Sequence, residues 1–297
     1  MNAIEVENLR KRFNGVEVLK GISFRVRRGE IFGFLGPNGA GKTTTMRILT
    51  GIIKPDAGKA IVNGCDVAKE SLEVKKFIGV LPEVSNAYPD LTAWQNLMLI
   101  ARLYGMKKSE AEERGRRLLR EFGIYERRDF RVKVFSKGMK QRLMLCMALM
   151  SDPEILFLDE PTSGLDVQSA RMMREKILEL AGEKTVFLTS HNMEEVNRLC
   201  DEIAIIRKGE IIEIDSPERI RQKVGGSIAI EVSFSRAIRL ENAERCGDRY
   251  LIYTANPHEE ICRIVETAKR SDAEILSLNT RVPTLEEAFV KILEAKI

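Results

Sequence analysis

Nine consecutive residues, Gly36, Pro37, Asn38, Gly39, Ala40, Gly41, Lys42, Thr43 and Thr44, have the types and spacing that cradle a polyphosphate. Glycines let successive backbone N–H groups converge on phosphate oxygens, and a helix opening at the loop's end adds unpaired donors and positive dipole. Lys42 supplies a cation for the terminal phosphates. Thr43 offers a hydroxyl to a magnesium ion bridging them, since a hard cation prefers oxygen ligands. The competing reading, a chance glycine turn, has to ignore the apolar run Ile31 to Leu35 before it and the helical pattern after it. Further along, the apolar run ILFLD ends on Asp159 and Glu160. Adjacent carboxylates at a strand end have separable tasks. Asp159 would hold the magnesium through water, while Glu160 would orient or deprotonate a water attacking phosphorus. A charged exit from a strand is the bland alternative, and the phosphate loop in the same chain weighs against it.

These residues need a scaffold, and the pattern supplies one. IEVEN, IFGFL, FIGVLP, ILFLD, TVFLT and IAIIR read as strands alternating with helical stretches, several too apolar to have a wet face. A largely parallel, covered sheet follows, with ligand chemistry at its strand ends. Between residues 77–81 and 155–158 lies a helical insertion, in which Thr92 with Gln95 and Ser109 with Glu112 form capping-box patterns and Gly105 fits a stop. Trp94, Leu97, Met98, Ala101 and Tyr104 give it an apolar face to bury. After IIEI, Ser216 and Pro217 start a short helix, and Gly225 with Gly226 breaks the pattern. The expected boundary lies there: residues 1–224 as the main domain, its helical part about 84–150, and 225–297 as a small α+β unit. That tail alternates at Ile228, Ile230, Val232 and Phe234, and its last helix puts Leu285, Ala288, Phe289 and Ile292 on one face.

At 297 residues, 44% hydrophobic and 31% charged, the composition is that of an ordinary globular protein, and no apolar run approaches the ~20 residues that cross a bilayer. The opening MNAIEVENLRKRF lacks the apolar core of a secretory signal, so a cytoplasmic location is expected. Five scattered cysteines without a CxxC pair indicate neither a disulfide framework nor a zinc site. The net charge of +4 is uneven: Lys107 to Arg142 holds 13 Lys or Arg against 6 Asp or Glu. Such a segment suits an anionic surface or a solvated helix face, and without aromatic interleaving it does not favour nucleic acid.

FSKGMKQRL, from Phe135 to Leu143, stands upstream of the DEP string, and LTSHNMEE places His191 downstream of it. With these, the chain resembles an ATP-binding-cassette ATPase. The resemblance implies a P-loop NTPase cassette: an α/β fold with a mostly parallel sheet, an antiparallel N-terminal β part and a helical insertion. It also implies that Ser136 and Gly138 of one subunit clasp ATP held by the phosphate loop of a second copy. His191 would donate to the γ-phosphate beside Glu160, and Asp166 would touch the partner. Phe13 would stack on adenine, although a lone phenylalanine equally suits a core. Thr43, Asp159 and Glu83 would hold Mg2+.

Two departures stand out. GVLPE puts Glu83 where the family commonly has glutamine, adding negative charge and losing a donor. Lys137 and Met139 replace a glycine and a glutamine of the clasp motif. Lys137 either adds charge near the γ-phosphate or points into solvent. RVPTLEEAF resembles the tail of cassettes serving drug, sodium and polysaccharide exporters. The expected function is therefore an ATPase subunit, peripheral on the cytoplasmic face, that drives export through a separate integral membrane permease. A soluble cassette acting in repair, translation or cofactor assembly is the alternative, but the chain shows neither a long coiled-coil insertion nor a second cassette. A GTPase or small-molecule kinase would leave FSKGM unexplained and lacks an NKxD motif.

Overall fold

The computed structural model describes residues 1–223 and 228–295. Its chain divides into two compact units, Met1–Ile214 and Asp215–Ile297. The break expected at Gly225 and Gly226 lies outside the described residues. The division falls earlier because the helix opened by Ser216 and Pro217 packs with the last helix of the second unit.

The first unit holds two sheets. Strands β1 (Asn2–Phe13), β2 (Val16–Arg27), β4 (Ala57–Val62) and β5 (Cys65–Asp66) form an antiparallel sheet in the order β2-β1-β4-β5. The second sheet runs β10-β9-β3-β8-β7-β6, from β3 (Ile31–Leu35), β6 (Ile78–Leu81), β7 (Ile155–Asp159), β8 (Thr185–Ser190), β9 (Glu202–Arg207) and β10 (Glu210–Asp215). From β9 to β6 its pairings are parallel. β3, β7 and β8 are buried along their whole length, which is why they read as unbroken apolar runs. Phe24, Phe32, Phe34, Phe157 and Phe187 form one aromatic cluster, partly stacked and partly tilted, with neighbouring ring centroids 5.4–5.9 Å apart. Helix α1 (Lys42–Leu49) touches β2 and β4 of one sheet and β7 of the other, so its first turn stands at the strand ends.

Helix α2 (Ser71–Phe77) leads into β6, and the insertion follows as α3 (Ala93–Leu103), α4 (Lys108–Glu121) and α5 (Lys137–Leu149). Thr92 and Gln95 form both halves of their capping box, and α3 ends on Gly105 in the left-handed region at φ 70°. The second expected box does not form. Ser109 lies inside α4, whose cap is Lys107, and Glu112 instead pairs with Arg116 at 2.8 Å and Lys108 at 3.9 Å. One turn's reach along a helix offers Glu112 these cations, and the box loses. Buried Asn96 donates to and accepts from the backbone of Tyr88, which anchors the loop that carries Glu83.

Helices α6 (Val167–Glu179) and α7 (Met193–Leu199) complete the unit. The second unit contains α8 (Pro217–Gln222), a sheet ordered β12-β13-β11-β14, and helices α9 (Pro257–Arg270) and α10 (Leu285–Ala295). Its strands are β11 (Ile228–Phe234), β12 (Glu244–Cys246), β13 (Arg249–Thr254) and β14 (Ile275–Arg281). Ile230, Val232 and Phe234 share its core with Tyr250, Ile252, Ile264 and Ala268. No described helix is long and apolar enough to cross a membrane.

Candidate functional site

A cavity of ≈ 440 Å³ opens at the carboxyl ends of β3 and β7, where a parallel sheet exposes the ends of its strands. Pro37, Asn38, Gly39, Gly41, Lys42, Thr43 and Thr44 line it, together with Glu83, Glu160 and His191. Gly41 caps α1 at φ 114°, a conformation open only to glycine without strain, and this turns the loop's donors inward. Gly36 and Ala40 shape the loop from behind. A side chain at Gly36 would run into the backbone of Ile206, and the Ala40 carbonyl accepts from the Gly209 amide at 3.0 Å.

Lys42 is almost fully buried. Its ammonium donates to the Gly36 carbonyl at 2.6 Å and stands 3.5 Å from Glu160 Oε1. Both partners, a carbonyl and a carboxylate, are of the kind that a polyphosphate would replace. Asp159 lies behind Thr43 and accepts from the Thr189 hydroxyl. Burial pushes its carboxyl above the ordinary range, against the hydroxyls of Thr189 and Thr43 and the charge of Lys42, while Glu160 adds to the rise. Among the described residues no group of three or more His, Cys, Asp or Glu is placed to hold a metal by itself. The Thr43 hydroxyl, the Asp159 carboxylate and the Glu83 carboxylate are nonetheless oxygen donors suited to Mg2+, and substrate phosphates would supply further ligands.

Glu160 is a non-glycine residue in the left-handed region, at φ 50°. Such a conformation costs about 1–3 kcal/mol and is held where surrounding structure over-determines it. Here the Glu160 amide donates to the Thr189 carbonyl at 3.1 Å, and the carboxylate meets His191 Nδ1 at 2.8 Å. A carboxylate only accepts, so Nδ1–H is the donor. To donate also from Nε2, the ring must be protonated.

Phe13 ends β1, is 44% exposed, and has the Lys11 ammonium 5.4 Å from its ring centroid. It is not a core residue, and Val18 rather than Phe13 lines the cavity among the described residues. Ser136, Gly138 and Asp166 also stand outside that lining. Ser136 caps α5 by accepting from the Met139 amide at 3.2 Å. Asp166 caps α6 through the Ser169 amide and hydroxyl, which hold its carboxyl below the usual range. A Cβ on Gly138 would meet the Ser169 side chain, so α5 and α6 start against each other. Lys137 lies over Gly164, its ammonium where a Cβ on that glycine would stand. Sequence reasoning missed Val18, Ser163 and, behind the cavity, buried Glu195, which accepts from Thr162 and Ser190. Helical spacing held a faint signal for Glu195, because Val196 and Leu199 of the same short helix also face inward.

A family model described as ABC transporter matches residues 19–163. The linearmycin resistance ATP-binding protein LnrL of Bacillus subtilis (strain 168) is 36% identical, over 97% of each chain. The chain belongs to the ABC transporter family, as an ATP-binding and ATP-hydrolysing subunit. The Nod factor export ATP-binding protein I of Ralstonia nicotianae (strain ATCC BAA-1114 / GMI1000) is 35% identical, over 97% of this chain and 93% of its own. A solved ATP-binding subunit of an ABC transporter superposes with a TM-score of 0.68 at 32% identity, over 74% of this chain and 92% of its own. Its agreement with the mostly parallel sheet bears out the cassette fold read from the strands.

Proposed function

We propose that this ABC subunit works as a head-to-tail pair of identical copies, each completing the other's nucleotide site, and powers export through a separate membrane permease from the cytoplasmic face. The observation that carries the pairing is the separation of Ser136 and Gly138 from the cavity that holds Lys42, Glu160 and His191. Ser136 already faces a helix N-terminus, so its hydroxyl and the amides of α5 form a second phosphate-binding surface with no cradle of its own. Export is favoured by the full-length similarity to a resistance protein and a Nod factor export protein, and the permease by the lack of a described spanning helix.

In this reading the loop 36–44 grips the phosphates, and Lys42 leaves the Gly36 carbonyl for them. Glu160 orients and deprotonates the attacking water, and His191 holds Glu160 and meets the γ-phosphate. Phe13 stacks on adenine, and Asp166 braces the partner's loop. Mg2+, held by Thr43, Asp159 and Glu83, would neutralise phosphate charge when bound. The test mixes two inactive variants, Lys42→Met and Ser136→Arg. A pair built from one of each has one site with an intact loop and an intact clasp, so mixing restores ATP hydrolysis. A mixture as inactive as its parts refutes the shared site.

A further inference from the structure

We propose that Glu195 is the positioning residue that sets the Glu160–His191 pair, a role that rests on the assignment of those two residues above. Glu195 is 1% exposed on α7 and touches neither the cavity nor solvent. One carboxylate oxygen accepts from the Thr162 hydroxyl at 2.6 Å and the other from the Ser190 hydroxyl at 2.7 Å. Thr162 follows Glu160 by two residues, and Ser190 immediately precedes His191. The two chain segments that carry the reacting pair are therefore tied to the two oxygens of one rigid group.

The tie is braced in turn. The Ser190 oxygen also accepts from the Asn192 amide at 3.0 Å, and the Asn192 side chain accepts from the Glu195 amide at 3.1 Å. On the other side, the Glu160 amide donates to Thr189 and the Thr189 hydroxyl to Asp159. Helix α7 is drawn close to the sheet because Gly33 of β3 has no Cβ, and Val196 and Cys200 fill that place. A buried carboxylate is costly, and burial raises the Glu195 carboxyl above the ordinary range even with both hydroxyls opposing. A merely structural link between these segments could be made without that cost by apolar side chains at all three positions. The location between residues 162 and 190 makes sense if the geometry being held is that of the residues beside them.

A glutamine keeps the shape, and because Thr and Ser hydroxyls both donate and accept, it keeps both links. Alanine keeps neither. The His191 ring is readable directly, since the chain has only two histidines and His258→Gln removes the other signal. In the nucleotide-free full chain, nitrogen NMR of the imidazole should show a protonated Nδ1 bonded to Glu160, and Glu195→Ala should abolish that signature. The same variant should lower kcat ~10²-fold, the scale of about 1 Å of misplacement, with nucleotide affinity unchanged. Glu195→Gln should retain the signature and most of the turnover. Retention of the Nδ1 signature in Glu195→Ala, or an equal loss of kcat in the glutamine variant, overturns the proposal. Should the alanine variant not fold, Thr162→Val and Ser190→Ala each cut one link, and an unaltered signature in both overturns it equally. The ring signature is read without nucleotide, so it fails separately from the role of Glu160 as base, which turnover of Glu160→Gln tests.

Discussion

Replacing Glu160 by glutamine removes one charge and almost no volume from a site where its neighbours are known to within hydrogen-bond distance. Lys42 stands 3.5 Å away, and at an effective dielectric of about 20 that pair attracts by about 5 kcal/mol before solvation is counted. Most of this does not appear as lost binding, because the freed ammonium is the group a polyphosphate needs and the variant also removes a negative charge beside it. ATP should therefore bind as tightly as to the parent or more tightly. Turnover should fall ~10²–10⁴-fold, about 2.7–5.4 kcal/mol of barrier, because a glutamine cannot take a proton from water. His191 Nδ1–H can still donate to the amide oxygen at the present 2.8 Å, so the ring stays in place and the loss isolates the base. The assay pairs equilibrium binding of a labelled nucleotide with single-turnover hydrolysis, and sizing with ATP present should show a trapped pair of subunits. Unchanged single-turnover rates would remove Glu160 from the role of base. A more than tenfold loss of affinity would show that the carboxylate serves binding instead.

Gly138→Ala should lower stability by about 1–3 kcal/mol, as overpacking does, because its Cβ needs the place of the Ser169 side chain. Adding Ser169→Gly should restore part of the thermal midpoint, and no recovery would mean that the strain lies elsewhere. In the second unit, Arg281 donates to both Glu287 oxygens at 2.5 and 2.8 Å and holds that carboxyl down to about 2, from 4.5. A depressed folded pKa gives stability that is complete above about 4.5 and disappears as pH falls towards about 2. Protection factors of the β11 and β14 amides in the full chain, measured against the intrinsic exchange rate at each pH, should therefore fall over that window, and less so in Glu287→Gln; identical acid profiles would refute the assignment.

Much of the site was legible in the sequence because its signals are local. The phosphate loop, the carboxylate pair after ILFLD and the serine opening α5 are each written within a dozen residues, and each depends on backbone geometry that the same residues impose. The buried strands were equally plain, since a strand covered on both faces has no polar positions to blur it. β2 and β4 were not, because their half-buried faces mix apolar and charged residues. Ser109 with Glu112 looks like a capping box, but the helix begins two residues earlier, with Lys107 as its cap, and Glu112 pairs with two cations along the helix.

The sequence by itself determined which groups could meet a phosphate, a metal ion and a water, and the family to which they belong. Tertiary structure alone decided which of them share a cavity: Lys42 beside Glu160, His191 on the same carboxylate, Ser136 and Gly138 outside its lining. It also decided that of two adjacent glutamates Glu194 lies at the surface with Arg198 while Glu195 is sealed behind the site. The physical reason is distance along the chain. Local spacing fixes backbone form and helix starts, whereas burial and the approach of residues far apart in sequence depend on how the strands order themselves and which helix face closes over them.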